Sequence, residues 1–452
     1  MKRADIWRLW LLRLVAACLA TLIAFGASQW LPQVIDTPHL GLNLRAKLLA
    51  ERPDHVSDDV SLVRISDAAL IGRPYSIPLD RAYLAEVIAA TAAYGPRLIL
   101  VDFVFDRPTE PKKDVRLIET LDRVPTPVAL AFLEGRAGGA TGKAVNARIA
   151  ACKQALLSGT TRCRDFQDTF IARTVLMNPN KALRGYGFPT LFESKESDVP
   201  GFVASYIPQS EPGGPCSLSD LAVHPDLKCR SSQGRLIAWQ LPPKDSSRIF
   251  PVVDSPALLG IARKGPQLSC DPKMPKPVLP TEASLEEKLR TEQLYCRVVI
   301  IGGDFLGQDR HYTPISGAVD GKGGQQGDVA GFEIQAQAAQ QQIDGRIWYE
   351  FDKTAMLILL FCSALFGICL RMLPLATREA KALLYAFFFF LFLADIALFS
   401  LSRYAIPGLS IILPSASAGF ACFVAVFLSF FIVEWGQYNL RGALGFLKEM
   451  LT

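Results

Sequence analysis

Hydrophobic positions gather at the two ends of the chain. An apolar stretch runs from Leu14 to Trp30 and is followed by Leu31 and Pro32. Three more cover Thr354 to Leu373, Ala382 to Leu401 and Gly408 to Val433. A membrane helix needs roughly 20 such residues. The pattern predicts helices spanning a membrane at 14–31, 354–373, 382–401 and 408–433. A basic arm at 1–13 and a tail at 434–452 flank them. Leu440, Leu444, Leu447 and Leu451 repeat at helical spacing in that tail, which reads as an amphipathic helix or as the end of the last span. The first stretch has a competing reading as a cleaved signal peptide, with Gly26, Ala27 and Ser28 as the small-residue site. Trp7, Trp10 and Trp30 bracket it as interfacial residues do, which favours a retained anchor.

Between the ends the pattern changes. Val60–Ile65, Arg97–Phe105, Pro127–Leu133 and Arg297–Gly302 are short apolar runs of strand length, read as strands buried on both faces. Ala82–Tyr94, Asp114–Asp122 and Gly331–Asp344 have helical spacing, and Gly95-Pro96 stops the first. Strands alternating with helices predict an α/β domain with a mainly parallel sheet over 32–353. Residues 134–295 are richer in Gly, Pro, Ser and charge and read as a long insertion. Gly201–Ile207 and Gly234–Leu241 are strand candidates in it, and Gly265–Pro280 is a proline-rich linker.

Charge sets direction. Lys2, Arg3, Arg8 and Arg13 precede the first span, and Arg371, Arg378, Lys381, Arg441 and Lys448 follow the same side of later ones. The positive-inside rule places both termini in the cytoplasm and 32–353 outside. Asp395 lies within the third span and is expected to face another helix, since a charge there costs about 3 kcal/mol.

Half of the 452 residues are hydrophobic and a fifth are charged, which excludes a disordered chain. With 48 Lys and Arg against 43 Asp and Glu, nothing indicates nucleic-acid binding. Of ten cysteines, Cys18, Cys362, Cys369 and Cys422 fall in the spans and read as small apolar packers. Cys152, Cys163, Cys216, Cys229, Cys270 and Cys296 fall outside. An even set in an oxidising compartment predicts disulfides. Nearest-neighbour pairing gives 152 with 163, 216 with 229 and 270 with 296. No CxxC occurs and the four histidines are scattered, so no metal or other cofactor is expected.

Two sets of residues carry a family resemblance. The first is Val63-Arg64-Ile65-Ser66-Asp67, Pro78, Arg81, Gly95-Pro96 and Val101-Asp102-Phe103-Val104-Phe105. The second is Val298-Val299-Ile300-Ile301-Gly302, Asp309, Thr313-Pro314 and Gly331-Phe332-Glu333-Ile334-Gln335-Ala336. With an N-terminal anchor and three C-terminal spans, the chain resembles the CHASE sensor domain of the second type. Such domains lie in front of bacterial adenylate cyclases, histidine kinases and protein kinases. The resemblance implies an extracytoplasmic sensor and a homodimer. Residues 434–452 are too few for an output domain, so the expected output partner is another membrane or envelope protein.

Candidate site residues follow from strand ends. Open α/β sheets place ligands at the carboxyl edge, where Asp67, Asp102, Asp106 and Asp304 fall. Arg81, Asp309, Arg310, His311 and Glu333 join them where the loops converge. The competing reading is structural: Asp67 caps a helix and Asp102 satisfies loop amides. The glycines at 321, 323, 324 and 327 match no phosphate-loop pattern, and no catalytic motif occurs, so no enzyme is expected. Together with that resemblance, the sequence predicts a sensor or receptor-like protein of a bacterial inner membrane whose periplasmic domain detects a ligand or a partner. The alternative is a structural subunit, or docking platform, of a multi-protein envelope assembly.

Overall fold

The computed structural model describes residues 3–35, 52–73, 78–105, 107–131, 142–158, 169–170, 183–187, 192–193, 203–206, 216–223, 235–261, 267–270, 277, 283–305, 309–313, 328–346, 349–350, 353–372, 411–412, 420–426 and 428–429. The chain divides into two units. One comprises Met1–Leu49, Lys195–Asp198 and Trp348–Thr452, the other Ala50–Ser194 and Val199–Ile347.

The strands in chain order are β1 (Val60–Ser66), β2 (Leu98–Val104), β3 (Val128–Ala131), β4 (Leu183–Gly187), β5 (Phe192–Glu193), β6 (Val203–Tyr206), β7 (Arg235–Leu236), β8 (Val252–Asp254), β9 (Val298–Asp304), β10 (Arg310–Tyr312), β11 (Asp328–Ala330), β12 (Tyr349–Glu350) and β13 (Ile411–Ile412). The helices are α1 (Arg3–Ile35), α2 (Asp67–Leu70), α3 (Arg81–Ala92), α4 (Pro111–Arg123), α5 (Gly142–Leu157), α6 (Ser255–Gly260), α7 (Leu285–Leu294), α8 (Gly331–Ile343) and α9 (Lys353–Met372).

Six strands form the parallel sheet of the second unit, in the order β4-β3-β2-β9-β1-β8. The expected strands and helices of the α/β domain are present within a few residues of their predicted ends. β1 and β9 are buried almost throughout, because helices cover both faces. Val63, Ile65, Ile99, Val101, Val299 and Ile301 share one face and pack with Val87 and Ile88 of α3 and Leu117 and Leu121 of α4. The alternate residues face α8. Gly302 permits that approach: a Cβ there would stand 2.2 Å from Cβ of Phe332.

The region 134–295 contributes two strands of this sheet, β4 and β8, so it is woven into the domain rather than appended. Neither strand is legible: β4 reads Leu-Arg-Gly-Tyr-Gly, and β8 has three residues. β5, β6 and β7 pair antiparallel in a separate sheet. Within the expected linker, Leu268 N donates to Ala93 O, and Cys270 is bonded to Cys296 at the entrance of β9. Gly95, at φ +65°, leaves room for Leu268. Cys152 and Cys216 are also disulfide-bonded, and their partners lie outside the described residues. Cys18, Cys362, Cys369 and Cys422 are free.

In the first unit, α1 extends over 33 residues and α9 over 20. They meet through small side chains. Ala16, Ala17 and Ala20 pack with Ala364, Ile368 and Ala425, and Ala24 with Leu360 and Ala421. Leu11, Leu14, Leu19, Leu22, Ile358 and Phe366 are exposed. Among the described residues no helix is long and apolar enough to cross a membrane. In the segment expected as the last span, Ile411–Ile412 is a strand, parallel to β12, and described helix begins at Phe420. Pro407 and Pro414 flank that strand and disfavour helix there. The third expected span with Asp395, and the tail 434–452, lie outside the described residues.

Candidate functional site

The register of the sheet builds a polar row at its carboxyl edge. Arg64 stands between Asp254 of β8 and Gly302 of β9. Asp102 follows Val101, the partner of Ile301, and so lies beside Gly302. Asp304 ends β9 opposite Ser66. Period-two alternation turns Arg64, Asp102 and Asp304 toward the face that carries α8.

Ion pairs join most of them. Arg64 Nε donates to Asp254 Oδ1 at 2.7 Å, and its Nη1 reaches Asp304 Oδ2 at 3.5 Å. Arg310 Nη2 donates to Asp304 Oδ1. The hydrogen bond that Arg64 donates to Asp254 raises the Arg64 pKa above its ordinary value, with Asp304 and Glu333 acting in the same direction against burial. Glu333 lies in the first turn of α8. His311 Nε2 is 3.2 Å from Asp309 Oδ1. Burial, and then the charge of Asp309, hold the Asp102 carboxyl well above the usual carboxylate range.

The structure thus gathers Asp102, Asp304, Asp309, Arg310, His311 and Glu333 around one edge. Arg81 is placed differently. It is 2% exposed, its Nε lies 3.3 Å from Asp114 Oδ1, and its Nη2 donates to Arg107 O at 2.6 Å. Its guanidinium also lies over the rings of Phe105 and Phe170. These contacts tie α3 to α4 and to the exit of β2, which is a structural task. Asp67 is the first residue of α2, preceded by Ser66 at the N-cap. Asp106 lies outside the described residues.

Arg64 and Asp254 belong to the edge although the sequence reasoning did not select them. Arg64 had a legible signal, as the one charged residue within the otherwise apolar or hydroxylated run of β1. Asp254 had none, because β8 is too short to read.

A second polar layer lies along α8. Gln337 Oε1 accepts from Gln240 N at 3.0 Å while Gln337 Nε2 donates to Gln240 O at 3.2 Å. One turn on, Gln341 Oε1 accepts from Ala238 N at 2.7 Å. Residues four apart on a helix rise about 6 Å, close to two residues of extended chain. The helix therefore presents glutamine amides at strand spacing. Among the described residues no group of three His, Cys, Asp or Glu is placed to hold a metal ion.

The sequence model of the CHASE2 domain matches residues 14–369. No curated protein matches, and no solved structure does. The matched stretch takes in the whole parallel sheet, the polar edge and α8, and it covers more than half of the chain. The chain belongs to the CHASE2 family of extracytoplasmic sensor domains.

Proposed function

We propose that this protein is an inner-membrane sensor whose α/β domain lies in the periplasm, binds its ligand at the carboxyl edge of the sheet, and signals through a separate protein. The observation that carries the reading is the polar edge itself. Arg64, Asp102, Asp304, Asp309, Arg310 and His311 converge where α/β sheets bind ligands, beside the first turn of α8. The protein acts by binding and catalyses no reaction of its own.

Membrane anchorage is supported by the inverted packing of α1 and α9, with alanines between helices and large apolar side chains outside. Membrane helices pack through small residues in this way. By the distribution of Arg and Lys, both termini are cytoplasmic and the α/β domain lies on the other side.

The test is purification of the full chain from its native membrane in mild detergent, with identification of the proteins that accompany it. A dimer, alone or with a kinase, cyclase or transcription regulator, supports the sensor. A stoichiometric set of structural envelope proteins overturns it in favour of a docking platform.

A further inference from the structure

Arg64 and Asp254 stand side by side at the open end of the sheet, on the paired strands β1 and β8. They meet through one hydrogen bond, from Arg64 Nε to Asp254 Oδ1 at 2.7 Å. A guanidinium and a carboxylate can form two parallel bonds, and this pair forms one. Arg64 Nη1 lies 3.5 Å from Asp304 Oδ2, at the outer limit of a hydrogen bond. Arg64 Nη2 and Asp254 Oδ2 have no hydrogen-bond partner among the described residues. Both side chains reach solvent, at 27% and 45% exposure. Strand pairing therefore fixes the two groups and leaves a donor and an acceptor unused beside each other.

The neighbouring charges are engaged. Arg310 Nη2 donates to Asp304 Oδ1, so two arginines share Asp304. Asp309 accepts the Gly331 amide through its carbonyl at 2.8 Å, and its carboxylate lies against Gly331. His311 Nε2 is 3.2 Å from that carboxylate. Arg64 and Asp254 are left to meet a ligand.

Charge decides what fits them. Arg64 and Arg310 balance Asp254 and Asp304. A bare anion gains Arg64 but is repelled by Asp254 and Asp304, and Glu333, which acts on Arg64 from α8, adds to that repulsion. A bare cation gains Asp254 but is repelled by Arg64. A ligand that carries both charges avoids both penalties. The open donor and acceptor flank a single 2.7 Å contact, so the two ligand charges must be close neighbours.

We infer that Arg64 and Asp254 bind a small zwitterion of the free α-amino acid type, Arg64 taking its carboxylate and Asp254 its ammonium. The carboxylate accepts from the Arg64 Nη groups, and the ammonium donates to Asp254 Oδ2. Only the 3.5 Å contact to Asp304 is given up, and Asp304 keeps Arg310. This deepens the sensor reading and rests on it, naming the class of ligand taken at the same edge.

The experiment is thermal unfolding of the full chain in mild detergent, with each common free amino acid in turn at about 10 mM, well above a millimolar Kd. At least one is expected to raise Tm by about 2–4 °C. Its two truncated analogues, the acid lacking the amine and the amine lacking the carboxylate, should each shift Tm less. Titration calorimetry with that amino acid then reads the two residues separately. Arg64→Gln should weaken binding about tenfold or more, the scale of a lost charged hydrogen bond. Asp254→Asn should remove the preference for the amino acid over its deaminated analogue. No Tm shift with any amino acid overturns the inference. So does equal binding of a truncated analogue, wild-type affinity in Arg64→Gln, or wild-type preference in Asp254→Asn. Should Arg64→Gln not fold, Asp254→Asn decides alone. Binding in a chain found only among structural envelope proteins keeps the zwitterion site and removes the sensor reading. A chain that accompanies a kinase, cyclase or transcription regulator and binds no amino acid does the opposite.

Discussion

Asp80 accepts the amides of Ala82 and Tyr83 through Oδ1, at 2.9 and 3.2 Å, and the Lys113 ammonium through Oδ2 at 2.9 Å. One buried side chain therefore caps α3 and clamps it to α4. Desolvation acts upward on its carboxyl, but Lys113 and the two amides outweigh it and hold the group below the usual carboxylate range. The stability this contributes is present above the unfolded pKa and is lost as pH falls through the lower, folded one. Asp80→Ala should cost about 1–2 kcal/mol by urea denaturation at neutral pH, the scale of a lost cap. The difference from wild type should shrink in acid. The sequence did not single out Asp80, because Lys113 lies 33 residues away. Arg81 next to it illustrates the opposite case. It matched a family motif and looked like a ligand contact, yet aromatic rings and Asp114 enclose it.

At the scale of elements, α8 does three things at once. Phe332 fills the gap above Gly302, its first turn meets the polar edge, and Gln337 and Gln341 take the place of a neighbouring strand for residues 238–240. Glutamine on a helix ordinarily reads as surface. Here Gln337 and Gln341 are 2% and 0% exposed, and the backbone they serve lies about a hundred residues earlier. No local pattern announces such a pairing. Gln337→Leu would leave the buried Gln240 N and O without that partner and should cost about 1–3 kcal/mol. Gln337→Glu keeps the acceptor and loses the donor, so its loss at neutral pH should differ from that of leucine by the charge it introduces. Chemical denaturation of the two variants against wild type measures both.

Across the whole molecule, the sheet is closed by a distant strand. β9 enters between β1 and β2, pairing Val60 with Val298 and Leu98 with Val298 on its two sides. Contacts so far apart in sequence form late, after much chain entropy is lost. Cys270–Cys296 shortens that search near the entrance of β9, with a sequence separation of 26. Replacing both cysteines by serine should lower stability by about 3.5 kcal/mol on the loop-entropy scale. Thermal unfolding of the full chain, with and without reductant, checks this: reductant should lower the wild-type Tm and should change that of the double variant less.

What the sequence determined by itself is the set of strongly periodic or uniformly apolar segments: β1, β2, β9, α3, α8 and α9 lie close to where hydrophobic spacing puts them. Burial demands those patterns locally, so they are written locally. The sequence also placed acids at strand ends, since that follows from where each strand stops. Tertiary structure alone decided which of them meet. The order β4-β3-β2-β9-β1-β8 brings Arg64, Asp254 and Asp304 together. The packing of α8 sets Asp309 against Gly331 and draws Gln337 to Gln240. Such contacts depend on strand order and helix approach, and two residues far apart in the chain carry no mark of each other until the chain has folded.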